Sequence, residues 1–226
     1  MCGRFTLTLD SEQIQKAFPF VGIPDNIKPR YNIAPSQPVA VIPNNGTNHL
    51  DFYNWGLIPS WAKDPTIGNR LINARAETLA QKPSFRSAYL RRRCLILADG
   101  FFEWQSQPGR KIKIPMFIRL QSKKPFAFAG LWEIWHSPDG SKVQTCAIIT
   151  TQPNELLQPI HNRMPVILPE ETFQQWLNPG ETPPNALDKL LRPYPADELE
   201  AVPVSPMVNN PQYDGPECIK ISQPSP

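Results

Sequence analysis

The chain has 226 residues, 40% of them hydrophobic and 19% charged, which is enough to bury the core of one large domain or two small ones and too apolar for a disordered chain. Proline is the outlier, with 28 residues against 11 glycines; this excludes a long-helix bundle, because each interior proline ends or kinks a helix, and leaves no collagen or Gly/Ser-linker reading. The net charge of +3 conceals a division, since residues 1–124 carry 18 Lys/Arg against 8 Asp/Glu and residues 125–226 carry 5 against 12, so the front half suits an anionic partner.

In chain order, residues 10–18 read as a short helix, with Asp10 or Ser11 as its cap and Ile14, Ala17 and Phe18 on one face. Residues 28–42 are extended and end in a strand; Asn44-Asn45-Gly46 is a turn, and the alternation over 49–55 predicts the returning strand. Helices are predicted over 74–81 and 83–91. Apolar runs of strand length follow at 94–98, 101–105, 116–120, 126–132, 143–150 and 164–168, then two late helices at 170–178 and 185–192. Strands joined by short turns, with few helices between them, favour an α+β fold built on a mainly antiparallel curved sheet or pseudo-barrel flanked by short helices. Residues 179–226 hold 11 prolines, so the expected division is one domain over 1–208 and an extended proline-rich tail over 209–226 that wraps the surface.

No stretch approaches 18 apolar residues, and the start of the chain lacks the apolar run of a secretory signal, so neither a membrane span nor export is expected. Cys2, Cys94, Cys146 and Cys218 lie 92, 52 and 72 residues apart without a CxxC or CxxxH pair. That spacing argues against a structural zinc site and for a reduced, cytosolic chain without disulfides. No Gly-rich phosphate loop, GxSxG elbow or HExxH motif is present, which removes kinase, α/β-hydrolase and zincin readings.

Four residues carry chemistry. Initiator methionine is usually removed before a small residue, and Cys2 would then present an α-amine and a thiol on adjacent carbons. Such a 1,2-aminothiol condenses with an aldehyde as an imine, and the thiol closes onto it as a five-membered thiazolidine. The alternatives are an N-terminal nucleophile that uses its own amine as base, and a small apolar residue at a chain start. His161 lies in Pro159-Ile160-His161-Asn162-Arg163-Met164-Pro165, a loop stiffened by prolines and suited to an acid/base group, although a lone loop histidine is commonly plain surface. Glu103 stands between aromatics in Phe101-Phe102-Glu103-Trp104, where burial would raise its pKa; an outward-facing strand glutamate is the competing reading, and Glu133 after Trp132 repeats the pattern. Asn73, two residues before Arg75, can offer an amide and a guanidinium from one side of a loop or strand. Cys94 and Cys146, inside apolar runs, read as buried core thiols. Basic and aromatic residues interleave through the front half: Arg4, Arg30-Tyr31, Trp55, Trp61, Arg70, Arg75, Arg86 and the run 91–93. Arginines for phosphates and tryptophans for bases make the composition of a single-strand nucleic-acid binder, with the run 91–93 also readable as a solvated face.

Seven ordered motifs resemble those of the SOS-response-associated peptidase (SRAP) family. They are Met1-Cys2-Gly3-Arg4-Phe5, Arg30-Tyr31-Asn32-Ile33-Ala34-Pro35, Trp55-Gly56-Leu57-Ile58-Pro59-Ser60-Trp61, Asn73-Ala74-Arg75-Ala76-Glu77, Gly100-Phe101-Phe102-Glu103-Trp104, Ala129-Gly130-Leu131-Trp132 and His161-Asn162-Arg163-Met164-Pro165. The resemblance runs from residue 2 to about 205 and implies an abasic-site processing protein. In such a protein the mature N-terminal cysteine crosslinks to the ring-opened aldehyde of an abasic site in single-stranded DNA and shields the lesion as a thiazolidine. Carried over by motif, Cys2 is the nucleophile, Asn73 bonds near its amine or the sugar, Glu103 positions the amine and moves its proton, and His161 acts as acid/base in opening the deoxyribose and reversing the link. Arg4, Arg75 and Arg163 are implied to contact phosphates, with Trp55 or Trp61 and Thr150 lining the DNA groove. The older family name implies a cysteine peptidase that trims its own N-terminus. The rival readings are therefore a thiol peptidase or N-terminal-nucleophile amidohydrolase using Cys2, and a non-catalytic single-strand binding module. No cofactor, metal or membrane is expected, and the chain is expected to be a cytoplasmic monomer, nucleoid-associated when bound to DNA.

Overall fold

The computed structural model describes residues 2–109, 112–179 and 182–222. The strands, in chain order, are β1 (Phe5–Leu7), β2 (Arg30–Ile33), β3 (Pro38–Pro43), β4 (Asp51–Trp55), β5 (Asn73–Arg75), β6 (Arg93–Ala98) and β7 (Gly100–Gln105). After them come β8 (Ile114–Leu120), β9 (Phe126–His136), β10 (Lys142–Thr151), β11 (Met164–Pro165), β12 (Ile167–Leu168) and β13 (Leu199–Pro203). The helices are short: α1 (Ser11–Ala17), α2 (Arg86–Arg91), α3 (Phe173–Trp176) and α4 (Pro184–Leu187). Helix α1 begins where Asp10 accepts from the Gln13 N–H and Gln13 Oε1 accepts from the Asp10 N–H, a reciprocal capping box, and it stops ahead of Pro19. Among the described residues no helix is long and apolar enough to cross a membrane.

Two sheets share the core, and the α+β expectation with a curved, mainly antiparallel sheet holds. Strand β3 pairs with β4, β4 with β10, β10 with β9, β9 with β6, and β6 again with β3, which closes a five-stranded barrel. The second sheet runs β13-β8-β7-β1-β2. Phe5 of β1 meets the Trp55 ring at 5.2 Å and the Phe128 ring at 5.7 Å, and Phe101 meets Phe128 at 6.0 Å, so aromatic edges join the sheet to the barrel. Each such fully buried ring contributes about 1.5–3 kcal/mol of apolar burial.

One expectation needs correction, and two further features lie in the proline-rich stretch. The helix predicted over 74–81 is strand β5 followed by a single 3-10 turn at Ala76–Thr78. Parallel pairing of Asn73, Ala74 and Arg75 with Ile148, Ile149 and Thr150 outweighs the helix propensity of the Ala-Arg-Ala-Glu run. Strand β13, which nothing in the proline-rich stretch announced, pairs with β8 through all five residues. Residues 206–222 lie packed on the domain as two 3-10 turns, Pro206–Asn209 and Pro216–Ile219, with Val208 and Cys218 buried against Phe102 and Phe117. We refer to them as the strap.

Candidate functional site

Register brings the chemistry-bearing residues together. Phe5 lies opposite Phe101, and the Phe102 N–H donates to the Arg4 carbonyl at 3.0 Å, so continuing that antiparallel register sets residues 2–3 alongside Glu103. Strand β10 then delivers two more groups from its opposite edges. Thr150 pairs with Arg75 of β5 on one side and with Pro165 of β11 on the other, which places Asn73 and the 159–163 loop around one strand end. Gln105 Nε2 donates to the Pro159 carbonyl at 3.4 Å and ties that loop to the strand carrying Glu103.

Asn73 Nδ2 donates to the Cys2 carbonyl at 2.8 Å, and Asn73 Oδ1 is buried with no hydrogen-bond partner among the described residues. The Cys2 thiol points at the Arg4 carbonyl, 3.8 Å away, and is fully buried. Burial, reinforced by the neighbouring Glu103 charge, pushes that thiol well above the ordinary thiol range, so it stays protonated at neutral pH. Burial likewise pushes Glu103 up to about 7, with nearby positive charge including Lys113 pulling it part of the way back. A carboxyl at that value both gives and takes a proton near neutral pH.

His161 is half-buried, and desolvation followed by nearby positive charge lowers its pKa below the usual 6.5, which keeps the ring neutral at pH 7. The Arg163 N–H donates to His161 Nδ1 at 3.1 Å, which in the neutral ring leaves the proton on Nε2. The Arg163 carbonyl lies 3.3 Å from the same Nδ1 and accepts from it once the ring is protonated. One backbone residue thus serves both protonation states, as an acid/base group needs.

The basic and aromatic residues divide. Arg75 is exposed, and Trp61 keeps 58% of its surface in solvent, a ring available to stack. Trp55 is a correction: it is fully buried, packs on Phe5 and donates from Nε1 to the Ile72 carbonyl at 2.8 Å, so it has no free face for a base. Thr150 is also fully buried, and its carbonyl accepts from Arg163 Nη2 at 2.6 Å; it can meet a ligand only through that arginine. Gly56, between Trp55 and the Trp61 loop, has φ of +138°, and a Cβ there would meet the Gly68 carbonyl oxygen at 2.8 Å. Only glycine fits this turn out of the barrel.

Arg163 is held by Glu77 through two bonds, Nη1 to Oε1 at 2.7 Å and Nη2 to Oε2 at 2.9 Å, and that ion pair keeps Glu77 below the usual carboxylate range. Arg4 donates from Nη1 to Asn32 Oδ1 at 2.7 Å and to the Val208 carbonyl at 2.8 Å, and lies 6.0 Å over the Trp104 ring. Reasoning from sequence singled out neither Glu77 nor Asn32, although both stand inside the quoted motifs. The run 91–93 is a solvated face only at Arg91, which is exposed: Arg93 is fully buried, donating to the carbonyls of Tyr89, Leu90, Trp176 and Asn178 and to Thr182 Oγ1, and Arg92 pairs with Glu133 at 2.6 Å. Among the described residues no cluster of His, Cys, Asp and Glu has the form of a metal site.

Comparison with known proteins matches residues 1–211 to the family model described as SOS response associated peptidase (SRAP). The abasic site processing protein YoqW of Bacillus subtilis is 51% identical over 223 residues, covering 97% of this chain and 99% of that protein. The abasic site processing protein HMCES of Rattus norvegicus is 30% identical over 268 residues, covering 97% of this chain and 75% of that protein. A crystal structure of a protein from Bacteroides thetaiotaomicron superposes with a TM-score of 0.87 at 26% identity, covering 98% of this chain and 100% of the other. With its family match across residues 1–211, and the Bacillus subtilis relative similar over 97% of this chain, the chain belongs to the SOS response associated peptidase (SRAP) family.

Proposed function

We propose that this protein processes abasic sites in single-stranded DNA by covalent attachment through Cys2 once Met1 has been removed. The observation that carries the reading is the meeting at Cys2 of an Asn73 hydrogen bond to its carbonyl and a buried Glu103 whose carboxyl titrates near 7. The similarity to abasic site processing proteins supports the lesion, and the exposed Trp61 and Arg75 support a single-stranded ligand.

The reaction follows from the groups. The Cys2 amine attacks the aldehyde carbon of the ring-opened deoxyribose, and loss of water gives an imine. The thiol then adds to the imine carbon and its proton passes to nitrogen, which closes a thiazolidine. The thiol is held protonated by burial, so the amine reacts first and the thiol is activated only as the ring closes. Glu103 takes a proton from the nitrogen, which becomes cationic as it adds to the carbon, and returns it to the departing hydroxyl. His161, neutral with its proton on Nε2, offers that N–H as a hydrogen bond to the ring oxygen as the sugar opens, while the proton of the anomeric hydroxyl passes through water to the same oxygen.

Incubation of processed protein with abasic single-stranded DNA, followed by a denaturing gel, tests this. A slow band lost in Cys2→Ala is expected, and Cys2→Ser should retain a weaker imine trappable by borohydride because the amine survives. No band with fully processed protein overturns the proposal.

A further inference from the structure

We infer that Asn32 and the C-terminal strap it anchors position the Cys2 nucleophile, acting through Arg4. The inference rests on the function proposed above and adds positioning residues remote from the reacting atoms.

The connection can be followed bond by bond. Asn32 is fully buried on β2, and its Nδ2 faces three strap carbonyls, Tyr213 at 2.7 Å, Asn210 at 3.0 Å and Val208 at 3.2 Å. Its Oδ1 accepts from Arg4 Nη1, which also donates to the Val208 carbonyl. Asp214 closes the strap from the other side. Its Oδ1 accepts from the N–H groups of Tyr31 at 2.6 Å and Asn32 at 2.7 Å, and its Oδ2 accepts from Arg30 Nε. Trp104, the ring beneath Arg4, donates from Nε1 to Asn209 Oδ1 at 2.7 Å.

What the strap holds matters because of where Arg4 stands. Its carbonyl is the contact of the Cys2 thiol and also the acceptor of the Phe102 N–H, next to Glu103. One residue therefore couples the backbone under the nucleophile to the backbone under the proton carrier, and its side chain is fixed by Asn32 and by Val208, 204 positions away. An arginine spent this way differs from a phosphate ligand: replacing it should change the rate of reaction at the site more than the hold on DNA. Displacement of a reacting group by a fraction of an ångström lowers a rate by an order of magnitude or more.

The test uses full-length processed protein, wild type and the variants Arg4→Lys, Arg4→Gln, Asn32→Asp and Asp214→Asn, at a temperature well below each melting point. Crosslinking rate is followed over a range of concentrations of abasic single-stranded DNA. Affinity and its salt dependence are measured on DNA carrying the tetrahydrofuran analogue, which has no aldehyde. The expected result is a saturating rate about tenfold lower in Arg4→Lys and Asp214→Asn, with analogue affinity and salt slope unchanged. Asn32→Asp introduces a buried charge and can fail to fold; Asp214→Asn, at a half-exposed rim, carries the test regardless. Unchanged saturating rates in folded Asp214→Asn and Arg4→Lys overturn the inference. So does a change confined to affinity, with a salt slope reduced by about one in Arg4→Gln, which unlike Arg4→Lys removes the charge; that is the signature of a lost phosphate contact. If wild-type protein forms no crosslink, the functional reading itself falls and this inference with it.

Discussion

Asn73 reaches the Cys2 carbonyl from a different sheet, a 2.8 Å hydrogen bond between residues 71 positions apart that leaves the other end of the same amide buried and unbonded among the described residues. An amide with one end committed to the Cys2 backbone and the other open is arranged to receive a donor. Asn73→Asp removes the donor and sets a carboxylate oxygen against the Cys2 carbonyl. Loss of a bond of this kind costs about 1–3 kcal/mol, so the crosslinking rate measured by denaturing gel is expected to fall by one to two orders of magnitude.

Glu103 makes stability depend on pH. Its folded pKa of about 7 stands above an ordinary value of 4.5, so in the folded state the proton is kept where the unfolded chain has released it. Its contribution is therefore complete below pH 4.5 and lost as pH rises through about 7. The difference amounts to about 3 kcal/mol at most. Wild type should lose melting temperature relative to Glu103→Gln between pH 5 and 8, as read by thermal denaturation in parallel buffers; parallel curves would show that the carboxyl is not desolvated.

The two tryptophans at either end of one motif should separate cleanly. Trp61→Ala removes an exposed ring and should weaken single-stranded DNA binding by about 1–3 kcal/mol with the melting temperature unchanged. Trp55→Ala opens a cavity between barrel and sheet and should cost about 3–5 kcal/mol of stability. Fluorescence anisotropy and urea denaturation on both variants distinguish them.

Arg93 is a buried cation with no carboxylate among its partners in the described residues, bonded to carbonyls at the ends of α2 and α3 and to the Thr182 hydroxyl. Oxygens left without donors each carry a desolvation penalty. Arg93→Leu is expected to lower stability by about 3–5 kcal/mol, and Arg93→Lys by nearly as much, because an ammonium cannot span the same set of acceptors. Equilibrium urea unfolding reads both.

Much of the strand order was legible because each barrel strand is a short apolar run bounded by turn residues: 94–98 and 101–105 fall within a residue of β6 and β7. The capping box at Asp10 and Gln13 likewise marks α1 on local grounds. Strand β5 was hidden since its only reason for being extended is a partner more than 70 residues away, and β13 since it is a five-residue strand with one buried side chain, Leu199, set in a proline-rich stretch. At the site, Cys2 and Glu103 stand out by chemistry alone, while Asn73 needed the motif around it. Which of two tryptophans faces solvent, and which of three adjacent arginines is interred, depend on how the barrel closes. Local sequence carries no record of that. The charge division predicted a basic ligand face and overcounted it, because Arg92 and Arg93 neutralise or cap their own fold.

The placement of β1 between β7 and β2, with Arg4 fastened to Val208, has a kinetic consequence. A contact spanning 204 positions is among the slowest to close, because so much chain entropy must be lost before it forms. The setting of the Cys2 thiol, which rests on the Arg4 carbonyl, therefore waits for residues 206–222 to dock. On the function proposed above, the site around Cys2 is thus complete only once the strap has docked.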